Sequence, residues 1–146
     1  MRNIVLNIGL LAFLIVGLNS CKKDSGDDDG EECDITVASL AGKYRLVSAK
    51  YISGGQETDA MNNMYEPCER DDINELKADG TFNYIDAGTV CSPSNSTSGT
   101  WNVSGQTLTL NGGFSVIETF NCRQMVVTFQ EDNSARTVRE VYEKLP

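Results

Sequence analysis

Residues 71–87 read DDINELKADGTFNYIDA. Asp79-Gly80 divides this stretch into two short runs, and both of its residues tolerate positive φ, the backbone of a tight antiparallel turn. Phe82 and Tyr84 alternate with Thr81 and Asn83, the period-two pattern of a half-buried strand. The stretch therefore predicts a hairpin, with strands over 71–78 and 81–87 and a two-residue loop between them.

The same pattern repeats on both sides. Downstream, strands are expected over 98–103 and 106–111 around Ser104-Gly105. Two more are expected over 114–121 and 123–130 around Asn121-Cys122, and a last one over 136–145. Leu108 and Leu110 share one face, as do Met125, Val127 and Phe129. Upstream lies 42–53, GKYRLVSAKYIS, where Tyr44 and Leu46 face one way and Val47, Ala49 and Tyr51 the other. A bulge near Ser48 produces such a phase change where a strand bends between two neighbours. The sum is an all-β chain: an eight-stranded antiparallel up-and-down β-barrel, which leaves no exposed edge, with a two-sheet sandwich as the alternative. Helical character is confined to 57–66, inside the longest connection, 54–70, and loops of this length serve as lids or plugs.

Composition excludes whole classes of function. The 146 residues carry 12 Lys+Arg against 21 Asp+Glu, a net charge of −9, and no His. An acidic chain lacks the basic face that phosphates require, so nucleic acid is not an expected partner. Without imidazole there is no Ser-His-Asp or Cys-His machinery, and no other residue set presents nucleophile, base and oxyanion donors together. The chain reads as a non-enzyme without cofactor or metal, and as a monomer.

Residues 1–20 read as an export signal. Ile4 to Leu18 is almost wholly apolar, and at 1.5 Å per residue it falls short of the ~30 Å of a bilayer core. It ends in Leu18-Asn19-Ser20-Cys21, which resembles a bacterial lipobox, and the resemblance implies lipid attachment at Cys21. Residues 21–39, rich in Asp, Glu, Lys and Gly, read as a disordered acidic tether. A Lys-Asp-rich stretch behind such a cysteine is similar to the surface-export signal of Bacteroidetes lipoproteins. The resulting expectation is a lipid-anchored outer-membrane protein exposed at the cell surface, with a periplasm-facing anchor as the alternative.

Four cysteines remain, and in an exported chain an even set implies disulfides. Across a two-residue loop at 79–80, Cys68 and Cys91 fall opposite each other, giving Cys68–Cys91. Strand parity puts the N-terminus and the 121–122 turn together at the other end, giving Cys33–Cys122. Four thiols split between two ends, with no Cys-x-x-Cys, do not form a zinc site. The same parity sorts the connections. Tight turns at 79–80, 104–105 and 121–122 close the end that the tether enters. The connections 54–70, 88–97, 111–113 and 131–135 surround an open mouth pointing away from the membrane.

Several pieces resemble the lipocalin-like lipoproteins of Bacteroidetes: Gly42-Lys43-Tyr44, Cys68-Glu69-Arg70-Asp71-Asp72, Ala78-Asp79-Gly80-Thr81-Phe82, Gly99-Thr100-Trp101, Gly105-Gln106-Thr107-Leu108-Thr109-Leu110 and the closing Val141-Tyr142-Glu143-Lys144-Leu145. The resemblance covers residues 40–146 and implies a small calycin-type barrel. Arg139-x-x-Tyr142 is similar to the Arg-x-Tyr carboxylate clasp of fatty-acid-binding proteins. It is one residue longer, which puts the two side chains on opposite strand faces, so the clasp is not carried over.

Tyr44, Tyr84, Trp101, Met125 and Phe129 are the candidates for contact with a small hydrophobic or amphipathic ligand at the open end. Plain core packing is the other reading, because eight strands can be filled by their own side chains. A filled barrel would leave an interaction module that meets protein or glycan on its outside. Met61, Met64 and Tyr65 are candidates for a lid or a fixed plug. Glu66, Glu69, Asp71 and Asp72 crowd the same rim, where a weak cation site competes with simple solvation.

Overall fold

The structure, a computed structural model, describes residues 32–131 and 134–146. The expected leader, Cys21 and the acidic stretch through Glu31 lie outside the described residues. Among the described residues nine strands form one antiparallel sheet: β1 (Gly42–Ser53), β2 (Gln56–Asp59), β3 (Ile73–Leu76), β4 (Thr81–Ile85), β5 (Thr97–Ser104), β6 (Thr107–Leu110), β7 (Gly113–Phe120), β8 (Gln124–Gln130) and β9 (Thr137–Lys144). From β3 onward each strand pairs with the next, and β9 returns to β1 over Tyr44–Ile52. β1 and β3–β9 thus make a closed eight-stranded barrel of the expected class.

β2 is the strand that the sequence does not announce. β1 is twelve residues long and β3 only four, so β3 covers only Gly42–Arg45. Beyond that point β1 has a free edge, and Gln56–Asp59 folds back through Gly54-Gly55 to pair with Lys50–Ser53. All four β2 side chains are exposed, so no hydrophobic alternation marks the segment.

The bulge in β1 falls between Leu46 and Ser48. Its outcome differs from the expectation at Ala49 and Tyr51, which share the face of Tyr44 and Leu46 instead of that of Val47. Val47 is the extra residue and points outward, 43% exposed, while Tyr44, Leu46, Ala49 and Tyr51 all face the interior. The bulge therefore preserves the inward face along a long, bent strand.

The β3–β4 hairpin also corrects the expectation. Lys77 N–H donates to the Thr81 carbonyl at 2.9 Å, and Leu76 stands opposite Phe82. The loop is therefore three residues, Ala78-Asp79-Gly80, with Gly80 at φ 83°. Asp79 accepts from the Thr81 backbone and hydroxyl, which favours the longer turn. The register is shifted by one from the predicted pairing, yet Cys68–Cys91 forms. The bridge lies beyond both strands, between the short 3₁₀ turn Pro67–Glu69 and the β4–β5 connection, so strand register does not control it.

Cys33–Cys122 is the second bridge. Residues 33–39, expected to continue the tether, are instead packed on the barrel. Cys33 N–H donates to the Phe120 carbonyl, and a one-turn helix α1 (Val37–Leu40), capped by Thr36, pushes Leu40 into the barrel floor. The interior divides into two apolar clusters. One joins Leu40, Tyr44, Leu76, Phe82, Trp101, Leu108, Ile117, Phe120, Met125 and Val127. The other joins Ala49, Tyr51, Ala60 and Val138, with Met61, Met64, Tyr65 and Phe129 against it.

Candidate functional site

Strand parity puts the β3–β4, β5–β6 and β7–β8 turns and α1 at one end of the barrel, which Leu40 closes. The opposite end receives the 54–72 connection, the β4–β5 connection, and the β6–β7 and β8–β9 turns. Within that connection a second one-turn helix, α2 (Met61–Met64), follows the fully buried Ala60, whose N–H donates to the Ala49 carbonyl. Met61, Met64 and Tyr65 pack onto Ala49, Tyr51, Val138 and Phe129. The segment fills the β1–β9 side of the mouth.

Beside it lies a cavity of about 240 Å³. Its wall is made by Leu76, Leu108, Leu110, Met125, Val127 and Phe129, with Tyr44 on β1. It reaches the surface at the β6–β7 turn, past Gly113, Phe114 and Ser115. Asn111 and Gly112 both have positive φ there, giving a tight two-residue turn that keeps this part of the rim low.

Of the five predicted contact residues, the structure brings Tyr44, Met125 and Phe129 to the cavity. Trp101 does not line it: the indole is buried among the apolar residues of the floor, and its Nε1–H donates to the Lys77 carbonyl at 2.8 Å. Tyr84 does not line it either. It is half-buried on β4, where burial and the neighbouring Asp72 carboxylate push its hydroxyl pKa up. Phe82 on β4 and Trp101 on β5 are buried in the same apolar cluster as Leu40 and Leu76, so these inward-facing residues fill the core.

The acidic rim has work of its own. Asp72 accepts from Ala87 N–H, Asp71 from Thr89 N–H, Asp86 from Cys91 and Asn95 N–H, and Glu69 from the Asn95 amide. These carboxylates organise the β4–β5 connection around the Cys68–Cys91 bridge. Among the described residues no group of three metal-ligating side chains converges.

The residue that sequence reasoning missed is Glu140 on β9. It lines the cavity and is 4% exposed. Tyr142 donates to its Oε2 at 2.8 Å, and Tyr65 donates to its Oε1. Burial raises the Glu140 carboxyl pKa above its ordinary value, against the opposing pull of the two hydroxyl donors. Burial, reinforced by the Glu140 charge, raises both tyrosines in turn. The signal was present in the alternation of β9: Val138, Glu140 and Tyr142 share a face, and Val138 is fully buried. Arg139 points the other way and pairs with Glu118 and Glu57 on the outside, as the one-residue-longer spacing predicts.

A family model described as a lipocalin-like domain matches residues 40–127, more than half of the chain. That span includes the walls given by β1, β3, β6 and β7 and stops short of β9, which supplies Glu140 and Tyr142. No curated protein and no solved structure matches.

Proposed function

The chain belongs to the lipocalin-like domain family, and from that premise we propose that it is a non-enzymatic carrier of a small amphipathic molecule. The ligand sits in the cavity beside α2, and the barrel is held at the bacterial outer-membrane surface by lipid on Cys21. One observation carries this reading: an apolar cavity of about 240 Å³ that opens at the barrel mouth.

Its size limits the ligand. A cavity of about 150 Å³ holds benzene, and drug-sized ligands use about 300 Å³ or more. One substituted ring or a short branched chain fits, and a long fatty acid does not. A ring-sized group buries about 150–250 Å², or ~4–6 kcal/mol at about 25 cal/mol per Å². Before ordering costs, that corresponds to dissociation constants from about millimolar to tens of micromolar. The open end lies away from α1 and Cys33, so an N-terminal anchor would leave the mouth accessible.

Native mass spectrometry of the purified protein, with and without added 2-phenylethanol, tests the reading. The expected result is a one-to-one complex that is lost when Leu110→Trp fills the lip. Failure of the unaltered protein to retain any small molecule would favour the second reading, an interaction module. That reading draws on Phe114 and Val116, 71% and 48% exposed on the outer face of β7.

A further inference from the structure

We infer that the cavity selects ligands carrying a protonated amine, or another cationic head, and rejects carboxylates, with Glu140 as the residue that pairs with the head. This rests on the proposed carrier function and deepens it by naming the ligand class.

Glu140 is the only carboxylate, and the only group of formal charge, among the residues lining the cavity. Its neighbours from each packed element are known. Its own strand gives Tyr142, and the α2 connection gives Tyr65. On β1 its partner is Ala49, with Tyr44 further along the wall. On β8 it faces Val127, with Met125 and Phe129 to either side. β3 offers the neutral Asn74, and on β4 Tyr84 stands within electrostatic reach of Tyr65, with Asp72 and Glu69 acting on it. The cations near this end are engaged elsewhere. Arg136 pairs with Glu131 and lies over the Tyr51 ring, Arg139 pairs with Glu118 and Glu57 outside, and Arg70 donates to the Tyr65 carbonyl.

A buried carboxylate without a cation is costly, and two hydroxyl donors offset only part of that cost. Each carboxylate oxygen has a second lone pair beyond the one its tyrosine uses. An ammonium head entering from the lip supplies the missing charge in a site sheltered from water, where a charge-assisted bond is strongest. A carboxylate head meets like charge and two hydroxyls already committed to Glu140. Proton linkage follows: an ammonium favours ionised Glu140, so its binding displaces any proton held there, and its affinity rises with pH until Glu140 is ionised in the free protein.

The test is isothermal titration of the full chain with 2-phenylethylamine, 2-phenylethanol and 3-phenylpropanoate. The amine is expected to bind at least about ten-fold more tightly than the acid. Its affinity should climb from pH 5 to pH 8 while that of the alcohol stays flat. Glu140→Gln, which keeps the shape, should bring amine and alcohol within about two- to three-fold of each other. The pH series on the unaltered protein decides the matter even if the variant folds poorly. Equal binding of amine and acid, or an amine preference that survives Glu140→Gln, overturns the inference while the alcohol still reports a working cavity. Binding of none of the three overturns both this inference and the carrier reading.

Discussion

The hydroxyl of Tyr44 donates to the carbonyl of Leu40 at 2.8 Å, and both side chains are fully buried. This bond pins the N-terminal turn into the barrel floor. Tyr44→Phe strands a buried carbonyl and is expected to cost about 1–3 kcal/mol. Leu40→Ala opens a void and is expected to cost about 2–5 kcal/mol. Urea unfolding measures both, and two values near zero would mean that the turn is not part of the cooperative unit.

Gly99 and Asn111 are coupled. The Asn111 Oδ1 accepts from Thr100 N–H at 3.0 Å, and a methyl group on Gly99 would overlap the Asn111 amide. Gly99→Ala is expected to destabilise by about 1–3 kcal/mol. In the Asn111→Gly background the cost should shrink, because glycine keeps the positive φ of the turn and removes the obstructing group. A double-mutant cycle that comes out strictly additive would contradict the contact.

The two disulfides should differ in weight. Cys33–Cys122 spans 89 residues and Cys68–Cys91 spans 23. Loop-closure entropy assigns them about 4–5 and about 3 kcal/mol. Replacing both cysteines of each pair by alanine should therefore lower Tm more for the first pair. Non-reducing peptide mapping checks the pairing itself.

Glu140 gives stability a pH dependence of its own. Its folded-state pKa lies above the ordinary 4.5, so over the window between the two values the native state holds the proton more tightly than the unfolded chain. The contribution of Glu140 to stability therefore falls as pH rises through that window and is constant above it. Glu140→Gln removes the effect, so the stability of the variant relative to the parent should increase from pH 4 to pH 7. A difference that stays flat with pH would show that Glu140 titrates normally.

The anchor is tested separately. Cells fed labelled palmitate should incorporate it into the full chain and not into Cys21→Ala, and the variant should leave the membrane fraction. Protease added to intact cells should reach the barrel if it faces outward. Retention of label in Cys21→Ala would remove the lipid-anchor proposal.

Sequence alone determined what depends on neighbours along the chain. Alternation at Leu108 and Leu110, and at Met125, Val127 and Phe129, together with Gly and Asn at the turns, set the strand list, because period-two patterning and positive φ are local properties. Strand parity then sorted the loops between the two ends and brought Cys33 to Cys122, whereas Cys68–Cys91 forms although the register it was read from is shifted by one.

Tertiary structure decided what depends on neighbours across space. Gln56–Asp59 becomes a strand only because β3 is too short to cover β1, and its own side chains carry no signal. The hairpin at Asp79-Gly80 gained a residue through the Asp79–Thr81 bonds and so shifted register by one. Inward direction was readable for Tyr44, Trp101 and Met125, but whether an inward side chain meets a void or another side chain depends on how the side chains of all eight strands together fill the interior. Glu140 shows the limit most plainly: alternation puts it on one face with Val138 and Tyr142, but only the closed sheet and the α2 connection enclose it with two tyrosines.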